Sequence, residues 1–192
     1  MDARDQKIIE IRWHGRGGQG AVTSANLLAE AAYHAGFKGV TSAPAFGAER
    51  RGAPVTASTR LASHPLRHFS QVEHPDIVVV MDDSLLVSGG ATRGLAPDGF
   101  IIVNSHATPE TLGLGNGYRV ATADANRIAE ALGLNISGTL MVNTAMLGAV
   151  ARTTGLVGIE HLEIAMKNAF SPRAAARNIE AARRTYECTE CL

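Results

Sequence analysis

His14-Gly15-Arg16-Gly17-Gly18-Gln19-Gly20 is the stretch on which the reading of the fold turns. Before it, Lys7 to Trp13 is an isoleucine-rich run of the kind expected for a strand buried in a parallel sheet. After it, from Gln19 to Ala35, Ala21, Val22, Ala25, Leu28, Ala29 and Ala32 recur at helical spacing, and Gly36 stands where a helix stops. Gly15, Gly17 and Gly20 thus form G-x-G-x-x-G between a strand and a helix. There glycines let the backbone turn tightly and approach a diphosphate, while the helix N-terminus directs free N–H groups and its positive dipole end at the anion. Arg16 can add a charge-assisted hydrogen bond. A turn that only packs helix against strand would use the same glycines, so the motif alone leaves both readings open.

A dinucleotide site would also place an acid at the end of the second strand, about 20 residues on, to hold the ribose hydroxyls. That strand, Lys38 to Ser42, ends Val40-Thr41-Ser42 with no carboxylate. Gly18 and the amide of Gln19 instead suit another phosphate-bearing ligand read mainly by backbone. Ala43 to Pro54 follows as an irregular loop containing Glu49, Arg50 and Arg51. In a doubly wound fold this loop lies at the carboxyl edge of the sheet, facing the same crevice as the glycine turn. Arg50 or Arg51 can grip a phosphate or a partner's carboxylate, and Glu49 can pair with either. A solvated, salt-bridged loop is the plainer alternative.

Further along, Val55 to Leu61 alternates and predicts a strand with one exposed face. Asp76 to Asp82 holds five apolar residues fenced by acids and predicts a central strand buried on both faces. Phe100 to Asn104 repeats that pattern, Tyr118 to Ala121 reads as a short strand, and helices are expected over 123–132, 140–153, 159–170 and 173–186. Strands interleaved with helices predict an α/β fold: a doubly wound, mostly parallel sheet flanked by helices, with a helical C-terminal part and residues 1–192 as a single domain.

Composition narrows the function classes. Eighteen basic residues balance eighteen acidic ones, so no global field draws nucleic acid or an anionic membrane, and any anion must be held locally. No apolar run approaches the roughly 20 residues of a membrane span, and Met1 to Lys7 lacks a secretory core, which makes the cytoplasm the expected address. The two cysteines, Cys188 and Cys191, provide no disulfide framework. As Cys-x-x-Cys they can give half of a metal or cluster site or a redox pair, but free thiols on a frayed terminus are the simpler expectation.

No nucleophile–base dyad shows in the sequence, and catalytic residues are expected to be none in this chain. His14 is the titratable group nearest the turn, though a histidine ending a strand is more often structural. Asp82 and Asp83 can ligate Mg²⁺, with helix capping the better account. Asn143 opens an apolar helical segment, where a buried amide needs a partner; it either anchors a loop near the site or is a satisfied core residue.

Four elements together resemble the gamma subunit of the 2-oxoacid:acceptor (pyruvate:ferredoxin) oxidoreductase family. They are Gly-Arg-Gly-Gly-Gln-Gly, Pro44 to Gly52, Pro75 to Asp82, and Asn143 to Gly148; the likeness spans about residues 8–185. The resemblance implies oxidative decarboxylation of a 2-oxoacid with coenzyme A, giving an acyl-CoA, carbon dioxide and two low-potential electrons. It implies thiamine diphosphate held between alpha and beta subunits, iron–sulfur ([4Fe-4S]) clusters in beta and delta-type subunits, and ferredoxin or another acceptor beyond. It places this chain beside the active-site entrance, with coenzyme A received at Gly15, Arg16, Gly17, Gly18, Gln19 and Gly20, and with Glu49, Arg50, Arg51 and Asn143 nearby. A stand-alone nucleotide-binding oxidoreductase and a purely structural assembly subunit are the rival readings.

Overall fold

Strand β1 (Ile9–Arg16) runs three residues further than the isoleucine run predicts, because it is zipped on both sides. Antiparallel β3 (Pro54–Ala62) pairs with it from Ile9↔Leu61 to Arg16↔Pro54, and parallel β4 (Ile77–Val80) from Ile11↔Ile77 to His14↔Val80. Gly15 and Arg16 therefore belong to the strand, and only Gly17 to Gly20 turn the chain into helix α1 (Ala21–His34). The computed structural model describes residues 7–44, 51–67, 70–87, 90–114 and 117–192.

Strand β2 (Gly39–Pro44) lies outside β3. On the other side, β4 is followed by the one-turn helix α2 (Ser84–Val87), β5 (Phe100–Asn104), a 3-10 turn at Glu110–Leu112 and β6 (Arg119–Ala123). The sheet order is β2-β3-β1-β4-β5-β6, closed at the far edge by a last strand, β9 (Glu190–Cys191). From β1 the chain moves one way through α1, and from β4 it moves the other way through α2, so the doubly wound switch lies between β1 and β4. β1, β4, β5 and β6 are parallel neighbours, while β3 and β9 run against them.

Between β6 and the tail come α3 (Ala125–Ala131), a hairpin of β7 (Asn135–Ile136) and β8 (Thr139–Leu140), and helices α4 (Asn143–Thr154), α5 (Ile159–Ala169) and α6 (Pro172–Cys188). Leu140, expected within α4, is instead in the hairpin. Helices α1 and α3 to α6 build one core with Ile11, Trp13, Val79 and Ile102, each large aliphatic side chain stabilising by about 1.5–3 kcal/mol. The opposite face is covered more thinly, by Leu85, Ala91 and Leu95 over Val78, Val80, Ile101 and Val103. Gly148 lets α6 touch α4: a Cβ there would lie 1.9 Å from the Ala182 carbonyl oxygen.

β4 is central and fully buried, as its apolar run demands. β3 departs from the expected single exposed face: its last six residues are buried, because strands flank it on both sides and Arg60 reaches over to Ser70. The C-terminus is not frayed either. Cys191 pairs with Ala121 and the Leu192 N–H donates to the Val120 carbonyl (2.9 Å), so backbone hydrogen bonds hold the tail. Among the described residues no helix is long and apolar enough to cross a membrane.

Candidate functional site at the glycine turn

Parallel strands β1, β4, β5 and β6 all end at one edge of the sheet, where an α/β fold binds ligands. The edge is braced by buried Asn104, whose Nδ2 donates to the Met81 carbonyl (2.9 Å) and Asn126 Oδ1 (3.1 Å). Its Oδ1 accepts from the N–H of Ala125 (3.0 Å) at the start of α3. Between β1 and β4 the crevice is tied shut by Arg16. Its Nε donates to Asp82 Oδ2 (2.8 Å), Nη1 to the Gly52 carbonyl (3.1 Å) and Nη2 to Ser84 Oγ (2.7 Å). Burial opposes charging Asp82, but the hydrogen bonds from Ser84 and Arg16 and the Arg16 charge outweigh it and hold the carboxyl below its usual range. Asp82 Oδ1 also accepts from the Ser84 N–H (3.1 Å), and Asp83 accepts from Ser105 Oγ (3.0 Å). The acids at this edge thus brace α2 and the neighbouring loop.

Gln19 is drawn into the turn itself. Its N–H donates to the Arg16 carbonyl (2.9 Å), and its Oε1 accepts from the Arg16 N–H (2.7 Å). The Gly17 N–H donates to the Ala53 carbonyl (2.8 Å), and the Gly52 N–H donates back to Gly17 (3.0 Å). The loop after β2 therefore meets the glycine turn, where the fold class places it. Gly20 caps α1 at φ 86°, with no side-chain cap and no acid in the first turn, so the helix presents Ala21, Val22 and Thr23 N–H groups without intrahelical acceptors. Gly20 is also the close approach to Asn143: a Cβ would stand 2.8 Å from Asn143 Nδ2. Asn143, buried at the first turn of α4, accepts from Ser24 Oγ through its carbonyl (3.1 Å), joining the two helix starts.

Arg51 forms the outer wall. One Nη2 donates to Thr139 Oγ1 (3.1 Å) and to the Ser137 carbonyl, both on the β7–β8 hairpin. Gly17, Gly18, Arg51, Ser137, Thr139 and Met141, with exposed Ile136, line a concavity of about 360 Å³. Among the described residues Arg51 has no carboxylate partner, and its guanidinium lines this concavity. Glu49 and Arg50 lie outside the described residues. Sequence reasoning passed over the hairpin. Its only signal was Ser137-Gly138, the two-residue turn with positive φ at both positions (50° and 80°).

His14 points away from the turn, to the opposite face of β1 from Trp13. Its Nε2 accepts from Arg12 Nε (3.0 Å), and burial followed by the Arg12 charge lowers its pKa to about 4, leaving a neutral ring at neutral pH. The two thiols are both exposed and look to different neighbours: Cys188 Sγ reaches the Thr185 carbonyl (3.7 Å), Cys191 the Thr153 hydroxyl (3.9 Å). Burial and nearby acids raise the Cys188 pKa.

Residues 10–188 match the family model "Pyruvate ferredoxin/flavodoxin oxidoreductase". The chain is 50% identical over 186 residues to the pyruvate/ketoisovalerate oxidoreductases common subunit gamma of Pyrococcus furiosus, covering 95% of this chain and 98% of that one. Its fold superposes with a TM-score of 0.82 and 39% identity on the pyruvate oxidoreductase subunit PORC of Thermotoga maritima, over 97% of this chain and 99% of the other. The same fold occupies 31% of a longer chain of the Magnetococcus marinus 2-oxoglutarate:ferredoxin oxidoreductase, a complex with 2-oxoglutarate, coenzyme A and succinyl-CoA bound; it covers 95% of this chain at 18% identity and TM-score 0.72. With a family model matched over nearly its whole length and a gamma subunit half identical to it, the chain belongs to the pyruvate ferredoxin/flavodoxin oxidoreductase family, as a gamma subunit.

Proposed function

We propose that this subunit forms the coenzyme A port of a cytoplasmic, multi-subunit 2-oxoacid:acceptor oxidoreductase, acting as one domain over residues 1–192. The observation that carries the reading is the concavity at the glycine turn, lined by Gly17, Gly18 and Arg51, with Gly20, the cap of a helix whose first N–H groups lack intrahelical acceptors, two residues further along the chain. That combination suits a diphosphate: backbone N–H groups take non-bridging oxygens and a guanidinium adds charge and direction. Ile136 and Met141 offer an apolar wall to the pantetheine or adenine portion. Asn143 Nδ2, against Gly20, is a further donor at the same helix start. Arg16 and Gln19 act by holding the turn in shape, their polar groups being engaged within it.

Partner subunits of alpha, beta and delta type supply thiamine diphosphate and iron–sulfur chemistry, and pass electrons to ferredoxin or another acceptor. The Pyrococcus relative is common to pyruvate and ketoisovalerate oxidoreductases, which supports substrate choice residing outside this subunit. The test is Arg51→Ala in the assembled complex, assayed by 2-oxoacid-dependent dye reduction. Loss of one charge-assisted contact predicts about a tenfold rise in the KM for coenzyme A, with little change in the KM for the 2-oxoacid. An intact complex with unaltered coenzyme A dependence would overturn the reading.

A further inference from the structure

A second cleft, of about 490 Å³, opens on the thinly covered face of the sheet, over β1 and β3. Its lining includes Arg12, His14, Thr56, Gln71 and Arg93, and none of these is used by the glycine-turn site. Arg12 is clamped in place: Nη2 donates to the carbonyls of Ala91 (3.0 Å) and Arg93, and Nη1 only weakly to Val72 (3.5 Å). Its guanidinium is thus fixed and half-buried, and among the described residues it has no carboxylate partner and one N–H left over from its five. His14 takes the Arg12 Nε–H on Nε2, so a neutral ring carries its proton on Nδ1, a second donor in the cleft lining. Exposed Arg93 has no ion pair among the described residues, and the Thr56 hydroxyl makes no hydrogen bond there.

We propose that this cleft is a second binding site, taking an oxyanion group, carboxylate or phosphate, carried by a small molecule, with Arg12, His14, Thr56 and Arg93 as its donors. Among the described residues two arginines stand against a single acid in the lining, Glu73, an excess of positive charge that a bound oxyanion would neutralise. The titration of the arginine and histidine agrees: Arg12 is lowered by burial and then by the Arg93 charge, and His14 by burial and then by the Arg12 charge. Glu10, on the same strand face, is already taken by Arg60 (2.7 Å) and does not compensate them. The preformed clamp around Arg12 means that a ligand finds its central donor fixed, which favours binding by sparing the ordering of a long side chain.

Calorimetric titration of the assembled complex with inorganic phosphate and, separately, with acetate tests this. The Arg51→Ala complex serves as background, so that anion binding at the glycine turn is suppressed. Binding of either probe that is weakened about tenfold by Arg93→Gln, and similarly by Thr56→Val, supports the site; the probe that binds names the ligand's anionic group. Both substitutions replace solvent-facing or half-buried side chains and keep the Arg93 carbonyl that holds Arg12, so assembly should persist. No binding of either probe, or binding indifferent to both substitutions, would overturn the proposal. The outcome is independent of the Arg51→Ala kinetics.

Discussion

Trp13 and His14 are adjacent in β1 and live in different chemistries. Trp13 is fully buried in the core built by helices α1 and α3 to α6, its one polar atom satisfied by Nε1 donating to Thr59 Oγ1 (3.0 Å), which in turn donates to the Ala25 carbonyl (3.1 Å). His14 stands on the other face with Glu10, Arg12 and Arg16, where each side chain is half-buried and tied to a polar partner from another part of the chain or the strand. One face of the strand stores stability as apolar burial, which neither pH nor salt alters much. The other stores it as placed charge, which costs stability when protonation changes but gives the loops above it a polar surface to bind with.

The sharpest way to break this division is Trp13→Ala. Truncation removes the largest buried side chain and the hydrogen bond it donates to the Thr59 hydroxyl, and should cost about 3–5 kcal/mol. Equilibrium denaturation should show the same loss at pH 5 and pH 7. A loss below about 1 kcal/mol, or one that depends strongly on pH, would mean that the helical face is not the apolar reservoir described.

His14 sharpens the contrast from the other side. Its folded pKa, about 4, lies below the ordinary value of 6.5, so below pH 6.5 the unfolded chain binds a proton that the folded chain refuses. Its contribution is therefore intact above pH 6.5 and lost as the pH falls towards 4, by about 2–3 kcal/mol at most. His14→Gln, which keeps an acceptor for Arg12, should flatten the stability profile in that window relative to the parent chain. Superimposable profiles would show that the imidazole is solvated and that the polar face carries no such cost.

How much of this the sequence disclosed follows from range. β4, β5 and the long helices were legible because continuous apolar runs and 3.6-residue spacing are local signals. The alternation in β1 was equally local, Ile9, Ile11 and Trp13 against Glu10, Arg12 and His14, yet its isoleucines invited the reading of a strand apolar on both faces. The β7–β8 hairpin and β9 are two residues per strand, too short for any period to register. At the site, the glycines and Arg51 were visible as motif, and their meeting followed from the fold class. The employment of Arg16 was not visible, since Asp82 lies 66 residues away and only packing brings them together. The same holds for Arg12 and Arg93, whose cleft exists only once the loops around Val72 and Ala91 have folded over β1.

Asp82→Asn is the gentlest probe, because the Arg16–Asp82 pair is the polar face at its most exposed. Side-chain exposures of 36% and 23% leave solvent to screen it, so removing the charge should cost about 1 kcal/mol. The depressed folded pKa fixes the sign: Asp82 stabilises the fold above its ordinary unfolded value, and that contribution is lost as the pH falls through the lower folded one. The gap between parent and variant, read from denaturation midpoints, should therefore be widest near neutrality, shrink with added salt and close below about pH 4. If the gap survives at low pH, the neutral hydrogen bonds to Ser84 matter more than the charge on Asp82. A cost rivalling that of Trp13→Ala would mean that this pair holds the crevice between β1 and β4 together, and the apolar and polar faces could no longer be ranked as unequal partners.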